Sequence, residues 1–250
     1  MNKIFKIAIN GASGNMGKAI CKLADHRRLA YAIQHKLTSS SSTEEIRHAC
    51  NNSDILLDFS SPDGSLAIMK ILMEYQDCKL LVGTTALKEK HFEYMHKLSD
   101  SRAVLYAPNT SITANILAEL SAKASSILHD FDVEIVESHH RAKKDAPSGT
   151  ALMIGQKIAN ARNINFQQNA IYTRYQSGAR KQGQIGLLSV RGGGIYGDNK
   201  VILAGDNELL TIEARALSRD VFAQGALRAA VWLAKQEPGL YSMKDFLNLS

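Results

Sequence analysis

The stretch Lys6–Ile20, KIAINGASGNMGKAI, decides the fold. It begins as a short apolar strand, passes through Gly11, Gly14 and Gly17, and ends in a helical pattern. Glycines at this spacing let the backbone turn tightly and approach a pyrophosphate, whose charge lies at the N-terminus of the following helix. A glycine triplet alone is weak evidence, but here strand, turn and helix all lie where the motif requires them. The stretch therefore predicts a dinucleotide-binding turn.

Downstream of this turn, short apolar runs alternate with amphipathic segments. Strands are predicted at Lys6–Asn10, Leu29–Gln34, Asp54–Phe59, Lys79–Gly83 and Ala103–Tyr106. Helical patterns lie between them at Met16–Ala24, Thr43–Ala49, Gly64–Tyr75 and Leu87–Leu98. Regular alternation of strand and helix is typical of a parallel, doubly wound sheet. We therefore predict an α/β, Rossmann-like first domain.

The rhythm changes after Asn109. A helical pattern, Thr113–Leu128, precedes a strand within FDVEIVESHH (131–140), and another helix is predicted from about Ser148. Further strands are predicted at Ile171–Arg174, Ile185–Val190, Lys200–Leu203 and Leu209–Ala214, and a last long helix at Val221–Lys235. This order indicates a second, α+β domain for substrate binding and oligomerisation, built on a mixed sheet. We expect residues 1–110 with 219–250 to form the dinucleotide-binding domain and 111–218 the second.

The overall composition is that of an ordinary globular protein. The 250 residues are 45% hydrophobic and 22% charged, with no apolar run long enough for a transmembrane helix and an N-terminus that resembles a first strand, not a signal peptide. Three cysteines, none in a C-x-x-C pair, argue against a disulfide framework or a zinc site and fit the cytoplasm. The net charge is +6, but the cations are scattered. We expect no nucleic-acid, membrane or metal partner, and an anionic small molecule instead.

The end of the second predicted strand bears on the cofactor. Sites that prefer NAD usually place a carboxylate there to bind the ribose hydroxyls. This chain has Gln34, His35 and Lys36 and no carboxylate, so we predict a preference for NADPH through its 2′-phosphate. The alternative, that these are exposed loop residues and NADH is also accepted, stays open.

A second notable stretch is 137–151, ESHHRAKKDAPSGTA. His139 and His140 end a strand and should point to opposite sides of it. Ser148 is a good N-cap, and the first-turn amides of Gly149 and Thr150 can bind a carboxylate or phosphate. Each part alone is more often structural, and the histidine pair has no nearby partner motif for a metal. Their combination with a dinucleotide turn predicts an anion site beside a proton-transfer group, with Lys143 and its neighbours adding positive charge.

This stretch closely resembles the signature E-x-H-H-x-x-K-x-D-A-P-S-G-T-A of the 4-hydroxy-tetrahydrodipicolinate reductase (dihydrodipicolinate reductase) family. The segments GASGNMG, LLDFSSPDG, VGTT and GALRAAVWL also match that family, in order. The resemblance implies an NAD(P)H-dependent oxidoreductase of lysine and diaminopimelate biosynthesis. Such an enzyme sends hydride to a cyclic unsaturated dicarboxylate, while a general acid protonates the ring.

The resemblance also implies residue roles. His139 would be the proton donor and Lys143 the second catalytic group, while His140, Gly149 and Thr150 would bind substrate. Gln34 and His35 would occupy the positions that contact the ribose or its 2′-phosphate. The dinucleotide would be lined by Gly11, Ala12, Ser13, Gly14, Asn15, Met16, Gly83, Thr84, Thr85, Ala107, Pro108, Asn109 and Thr110. The family is typically a homotetramer built through the second domain's sheet, with hinges here at Asn109–Ser111 and Ser218–Asp220.

Two positions depart from the family pattern. Thr110 stands where many members have an aromatic residue, and Ala214 where many have histidine, whereas the basic Arg219 is retained. Two other functions remain open on the sequence: an aspartate dehydrogenase-like enzyme, which would not need the histidine–lysine set, and a non-catalytic NADP sensor, which would bind cofactor without turnover.

Overall fold

A computed structural model describes residues 4–24, 30–75, 77–175, 178–218 and 220–249. The chain divides into two compact units, one of Met1–Ile112 with Asp220–Ser250 and one of Thr113–Arg219. Arg219, the retained basic position, lies outside the described residues. The roles predicted for the two domains stay predictions at this point.

Unit 1 is built from a parallel sheet and the helices that pack against it. Up to residue 106 they are β1 Phe5–Asn10, α1 Asn15–Ala24, β2 Tyr31–Leu37, α2 Thr43–Asn52, β3 Ile55–Asp58, α3 Pro62–Leu72, β4 Lys79–Val82, α4 Glu89–Ser99 and β5 Ala103–Tyr106. The chain then forms α5 Ile112–Ile127, β6 Asp132–His139, α6 Gly149–Ala161, α7 Phe166–Asn169, β7 Ala170–Ile171, β8 Ile185–Arg191, β9 Asp198–Ala204 and β10 Leu209–Arg215. It returns to unit 1 with α8 Asp220–Leu233, β11 Gly239–Ser242 and α9 Met243–Leu247.

The sheet of unit 1 has six strands in the order β11-β5-β4-β3-β1-β2, and every pairing is parallel. Strands such as β3, ILLD, are buried on both faces, which is why they appear as continuous apolar runs. One core lies between the sheet and α1 and α8, and a second lies against α2, α3 and α4. The predicted Rossmann-like, doubly wound fold is confirmed. The strand order reverses between β1 and β3, where such sheets bind ligands at their carboxyl ends.

Unit 2 contains the predicted mixed sheet, with five strands in the order β10-β9-β6-β8-β7. Strand β6 runs parallel to β8 and antiparallel to β9. Residues Val133, Ile135 and Leu187 on one face pack against α5 and α6 in a core of their own. The opposite face carries partly exposed apolar residues, among them Leu188 and Val190.

Several predicted boundaries differ from the structure. Strand β2 runs to Leu37 instead of Gln34, and Leu29, its predicted start, lies outside the described residues. Strand β7 has two residues where four were predicted, and α8 ends at Leu233 instead of Lys235. Helix α7, strand β11 and helix α9 were not predicted. All three are short, and β11 is recognisable only through its pairing with β5.

The three cysteines form no disulfide, and Cys50 and Cys78 are buried. Burial raises the pKa of the Cys50 thiol to about 12, so that it remains protonated. Cys21 is only half-buried. In the part of the chain that the structure describes, no helix combines the length and apolar character needed to span a membrane.

Candidate active site

The glycine turn after β1 depends on the absence of side chains. Gly11 has φ of +82°, and a Cβ there would lie 2.4 Å from the Phe59 carbonyl oxygen. A Cβ on Gly17 would lie 2.3 Å from the Gly11 carbonyl oxygen, because α1 packs directly on the turn. These close approaches are what a dinucleotide-binding turn requires of its glycines.

The start of α1 is open to a ligand. Ser13, Gly14 and Asn15 are exposed, while Ala12 and Met16 are half-buried. The amides of Gly11 and Ala12 donate to the Leu37 carbonyl oxygen, which fastens the turn to β2. The first-turn amides of α1 have no acceptor within the helix, so they can bind a pyrophosphate. The residues present therefore fit a dinucleotide.

A buried carboxylate organises the neighbouring loops. Asp58, at the end of β3, is 1% exposed. Its oxygens accept hydrogen bonds from Asn10 Nδ2 at 2.8 Å, Ser60 Oγ at 2.6 Å and Thr84 Oγ1 at 2.9 Å. The side chain of Thr84 thus points inward and joins the loop after β4 to the loop after β3. Its hydroxyl supports the candidate cofactor site, and only its backbone remains for direct contact with a ligand.

The other predicted cofactor residues after β4 and β5 divide by exposure. Thr85 and Pro108 are exposed, whereas Ala107 is buried. Gly83 lies under the Phe59 ring, where a Cβ would come within 2.0 Å of a ring carbon. Asn109 accepts a hydrogen bond from the Ser111 amide. The Thr110 hydroxyl donates to the Phe222 carbonyl oxygen at 2.7 Å and is 2% exposed, so this side chain fastens α8 to the end of β5.

The end of β2 borders a cavity of about 440 Å³. Gln34 is exposed and His35 half-buried, and both line it together with His48 from α2. The rings of His35 and His48 meet edge to face, with their centroids 5.3 Å apart. Burial, and then the proximity of His48, lower the pKa of His35. His48 is a candidate ligand contact that the sequence alone did not indicate.

The basic site of unit 2 lies at the end of β6. Alternation along the strand places Glu137 and His139 on the same face as Val133 and Ile135. The side chain of Glu137 is fully buried, and that of His139 is 13% exposed. His140, one residue beyond the strand, is half-buried. Because β6 ends at His139, the expectation that the two histidines point to opposite sides of the strand stays a prediction.

Glu137 is surrounded by donors. Its Oε2 lies 2.6 Å from His139 Nδ1 and 2.9 Å from one Arg191 nitrogen, and its Oε1 accepts from the other at 2.7 Å. The Ser148 amide donates to Oε1 at 3.1 Å. Burial alone would raise the pKa of Glu137, but hydrogen bonds from Arg191, Ser189 and His139 outweigh it and lower the pKa. Glu137 is therefore an anion in the folded protein.

Lys143 lies close to the same group of residues. Its Nζ is 2.8 Å from Asp145 Oδ1, and its side chain is 21% exposed. The hydrogen bond from Lys143 lowers the pKa of Asp145, so that the two form an ion pair. Arg191 also donates to the Asp145 carbonyl oxygen at 2.7 Å, which ties the loop carrying Lys143 to β8.

The start of α6 faces solvent. Ser148 caps the helix, accepting from the Ala151 amide at 3.2 Å. Gly149 is exposed, with no atom within 4 Å of the position that a Cβ would take, and Thr150 is half-buried. A carboxylate can therefore approach these first-turn amides. Arg141 and Lys144 are exposed, and the structure gives them no further role.

Together these features define a class of protein. Unit 1 has the sheet and glycine turn of a dinucleotide-dependent oxidoreductase, and unit 2 presents a histidine, a lysine and a helix start suited to an anionic substrate. Two family models match the chain: "Dihydrodipicolinate reductase, N-terminus" over residues 5–110 and "Dihydrodipicolinate reductase, C-terminus" over residues 113–247. The chain belongs to the dihydrodipicolinate reductase family.

Curated relatives agree over the full length. The 4-hydroxy-tetrahydrodipicolinate reductase of Rickettsia bellii is 38% identical, over 97% of this chain and 94% of that protein. The enzyme of the same name from Wolinella succinogenes is also 38% identical, over 98% of this chain and 99% of that protein. A dipicolinate-bound dihydrodipicolinate reductase from Paenisporosarcina sp. TG-14 has a TM-score of 0.73 at 21% identity, covering 96% and 97% of the two chains. This structural likeness supports the fold.

Sequence reasoning missed four groups that shape these sites: Asp58, Glu137, His48 and Arg191. A signal existed for Glu137, because it follows Val133 and Ile135 at a spacing of two and must share their buried face. Asp58 likewise ends a strand that is buried on both faces. His48 and Arg191 come close to their partners only through tertiary packing, so nothing in the local pattern identified them.

Proposed function

We propose that this protein catalyses the NAD(P)H-dependent reduction of 4-hydroxy-tetrahydrodipicolinate, via dihydrodipicolinate, to tetrahydrodipicolinate. The observation that carries the proposal is an intact histidine, lysine and helix start in unit 2 of a family member that matches a curated relative over 97% of this chain. In sum, one hydride and one proton are added to the ring system, and water leaves. The reaction belongs to lysine and diaminopimelate biosynthesis.

The dinucleotide, when bound, supplies the hydride. The turn at Gly11–Met16 and the first-turn amides of α1 hold its pyrophosphate. The loops at Gly83–Thr85 and Ala107–Thr110 hold the remainder of the molecule, supported by the Asp58 hydrogen bonds. These are the roles we propose for the residues predicted as cofactor contacts.

In unit 2, His139 donates the proton that the ring takes up, and Lys143 stabilises the negative charge of the dicarboxylate. The amides of Gly149 and Thr150 bind one substrate carboxylate, and His140 contacts the substrate. The fit is physical: a helix start that is open at Gly149 accepts an anion, and a histidine can carry a proton at neutral pH.

We further propose that NADPH is preferred over NADH. The support comes from three basic side chains around the end of β2: His35 and Lys36 on the strand and His48 on α2. At the position of Gln34 the chain has no carboxylate to bind the ribose hydroxyls. Glu44 and Glu45 also line this cavity and oppose the preference. NADH remains a possible donor.

We also propose a homotetramer assembled through the open face of the unit 2 sheet. That face carries Leu188, 36% exposed, Val190, 46% exposed, and Leu209, 69% exposed. Apolar residues grouped on an uncovered sheet face mark an interaction surface.

A coupled assay tests the function. The preceding synthase generates the unstable substrate from pyruvate and aspartate semialdehyde, and nicotinamide absorbance is followed with NADPH or NADH. We expect turnover that requires the synthase, and His139→Ala and Lys143→Ala should each lower kcat by about 10²–10⁴-fold.

Three outcomes of this assay would contradict the proposal, each in a different way. Cofactor binding with no oxidation of either nucleotide would indicate a non-catalytic sensor. Oxidation that depends on oxaloacetate and ammonia instead of the synthase product would indicate an aspartate dehydrogenase-like enzyme. Near-normal kcat in both variants would refute the assignment of the catalytic pair.

A further inference from the structure

Glu137 is the most deeply buried carboxylate among the residues around His139 and Lys143. Its side chain is 0% exposed and lies on the core-facing side of β6. A buried charge is costly unless it is paired and fully hydrogen-bonded. Arg191 alone would supply that pairing, so the His139 ring held at 2.6 Å on the same carboxylate requires a separate explanation.

The donors around Glu137 fix the direction of each hydrogen bond. An ionised carboxylate only accepts, so the short contact requires His139 Nδ1 to carry a proton. Arg191 binds both carboxylate oxygens, and the Ser148 amide binds Oε1. The carboxylate cannot rotate away, because these donors come from β8 and from the start of α6. The carboxylate that binds the His139 ring is therefore fixed in place, and it belongs to the same strand, β6, as His139.

The other ring nitrogen of His139, Nε2, lies beside Gly197. A Cβ on Gly197 would lie 3.1 Å from His139 Nε2, so a larger residue there would crowd this atom. Because Glu137 occupies Nδ1, Nε2 is the ring nitrogen left to exchange a proton with a substrate. A histidine held in this way has its tautomer and its ring orientation set in advance.

We propose that Glu137 is a positioning residue that holds His139 with Nδ1 protonated and Nε2 directed to the substrate as the proton-donating atom, with Arg191 and Ser148 anchoring the carboxylate. The proposal rests on the proposed function, because it assigns a role in proton transfer to the ring. During turnover the proton leaves Nε2 for the substrate, while Nδ1 keeps its proton and its bond to Glu137. The negative charge of Glu137 stabilises the imidazolium before transfer.

Glu137→Gln separates this role from mere packing. With its oxygen at the Oε1 position, the glutamine keeps the bonds from one Arg191 nitrogen and from the Ser148 amide. Its amide nitrogen then takes the Oε2 position, where it loses the second Arg191 bond and donates to His139 Nδ1. That reverses the tautomer and disfavours the imidazolium. We expect kcat to fall about 10²-fold or more, with substrate KM and the NADPH dissociation constant within about threefold of wild type.

Glu119→Gln is the matched control, because it removes the negative charge of an ion pair with Lys157 between α5 and α6 in the same unit. It should retain kcat. A kcat for Glu137→Gln within about threefold of wild type, or an equal loss in Glu119→Gln, would overturn the proposal. So would a loss in Glu137→Gln that appears in KM alone.

Proton NMR of the whole enzyme without substrate gives an independent test. A short N–H to carboxylate bond produces a far-downfield resonance, which we expect in wild type and in Glu119→Gln. It should be absent in Glu137→Gln and in His139→Gln. Lack of the resonance in wild type would overturn the proposal even if Glu137→Gln failed to fold. If the wild type showed the resonance but no turnover, the proposed function would fail while the pairing of Glu137 and His139 stood.

Discussion

The chemistry of individual side chains here is decided by partners that are distant in sequence. Glu137 is an anion because Arg191, 54 residues later, binds both of its oxygens. Thr84 points inward because Asp58, 26 residues earlier, accepts its hydroxyl. The residue types of the candidate site were therefore predictable from the sequence, whereas their hydrogen-bond partners were not. The alternation of buried and exposed side chains along β6 would have predicted only that Glu137 is buried.

At the residue scale, the proposed preference for NADPH should depend on pH through His35. Burial and His48 lower its pKa, so in the free protein it is mainly neutral at pH 7. A bound 2′-phosphate favours the protonated form, so NADPH binding takes up a proton and tightens as pH falls. NADH has no such phosphate. We expect the NADPH dissociation constant to fall by at most about tenfold per pH unit between about pH 8 and pH 6.5, with NADH nearly unchanged.

Fluorescence titration of both nucleotides across this range measures the effect. The other charged groups facing His35 are Lys36 on β2 and Glu44, Glu45 and His48 on α2. His35→Asn should flatten the NADPH curve, whereas His96→Asn, on the exposed surface of α4, should not. Equal pH dependence for NADH and NADPH in wild type would contradict this account of the cavity.

Among the helices and strands, those with a strong hydrophobic pattern in the sequence were predicted most accurately. Strands β1, β3, β4 and β5 are continuous apolar runs between turns, so they were predicted within a residue or two. Strand β11 has only GLYS, and its pairing with β5 depends on α8 returning the chain to unit 1. The end of β2 was placed too early because its last three residues before Leu37 are polar and at least partly exposed: Gln34, His35 and Lys36. Hydrophobic periodicity cannot detect such segments.

The glycine turn gives the test at this scale. Gly17→Ala places a Cβ 2.3 Å from the Gly11 carbonyl oxygen, which belongs to backbone that cannot move without reshaping the turn. We expect NADPH affinity to fall about tenfold or more and the midpoint of thermal unfolding to drop by several degrees, as for about 1–3 kcal/mol of overpacking. Isothermal titration and thermal denaturation measure both quantities.

Gly149→Ala is the matched control. Nothing lies within 4 Å of its Cβ position, so thermal stability and NADPH affinity should be unchanged, while substrate KM should rise because the methyl group crowds the helix start. If Gly17→Ala binds NADPH as tightly as wild type, the close packing of α1 on the turn is not needed for the cofactor.

At the scale of the whole molecule, the two units differ in how completely their sheets are covered. The unit 1 sheet has helices on both faces, whereas the described residues of unit 2 cover their sheet with α5 and α6 on one face. Its other face exposes Leu188 and Val190. Sequence periodicity predicted the mixed sheet but could not tell an open face from one covered by another chain. The oligomeric state therefore has to be tested by measuring the mass of the whole protein in solution.

We expect light scattering after size-exclusion chromatography to give four times the mass of one chain. The double variant Leu188→Lys with Val190→Lys should dissociate the assembly, because four lysine side chains would be desolvated in each two-fold contact. Leu240→Lys, on the exposed side of β11 in unit 1, is the control and should leave the mass unchanged. A wild-type mass of one chain would contradict the tetramer.

The proposed function requires that hydride passes from the dinucleotide to the ring of the dicarboxylate. The most direct measurement uses NADPH deuterated at nicotinamide C4, in separate 4R and 4S forms, with substrate generated by the synthase, and examines the tetrahydrodipicolinate by mass spectrometry and NMR. We predict that one of the two forms gives product carrying a single deuterium at ring C4, while the other gives unlabelled product. Unlabelled product from both forms, with NADPH consumed, would contradict the claim.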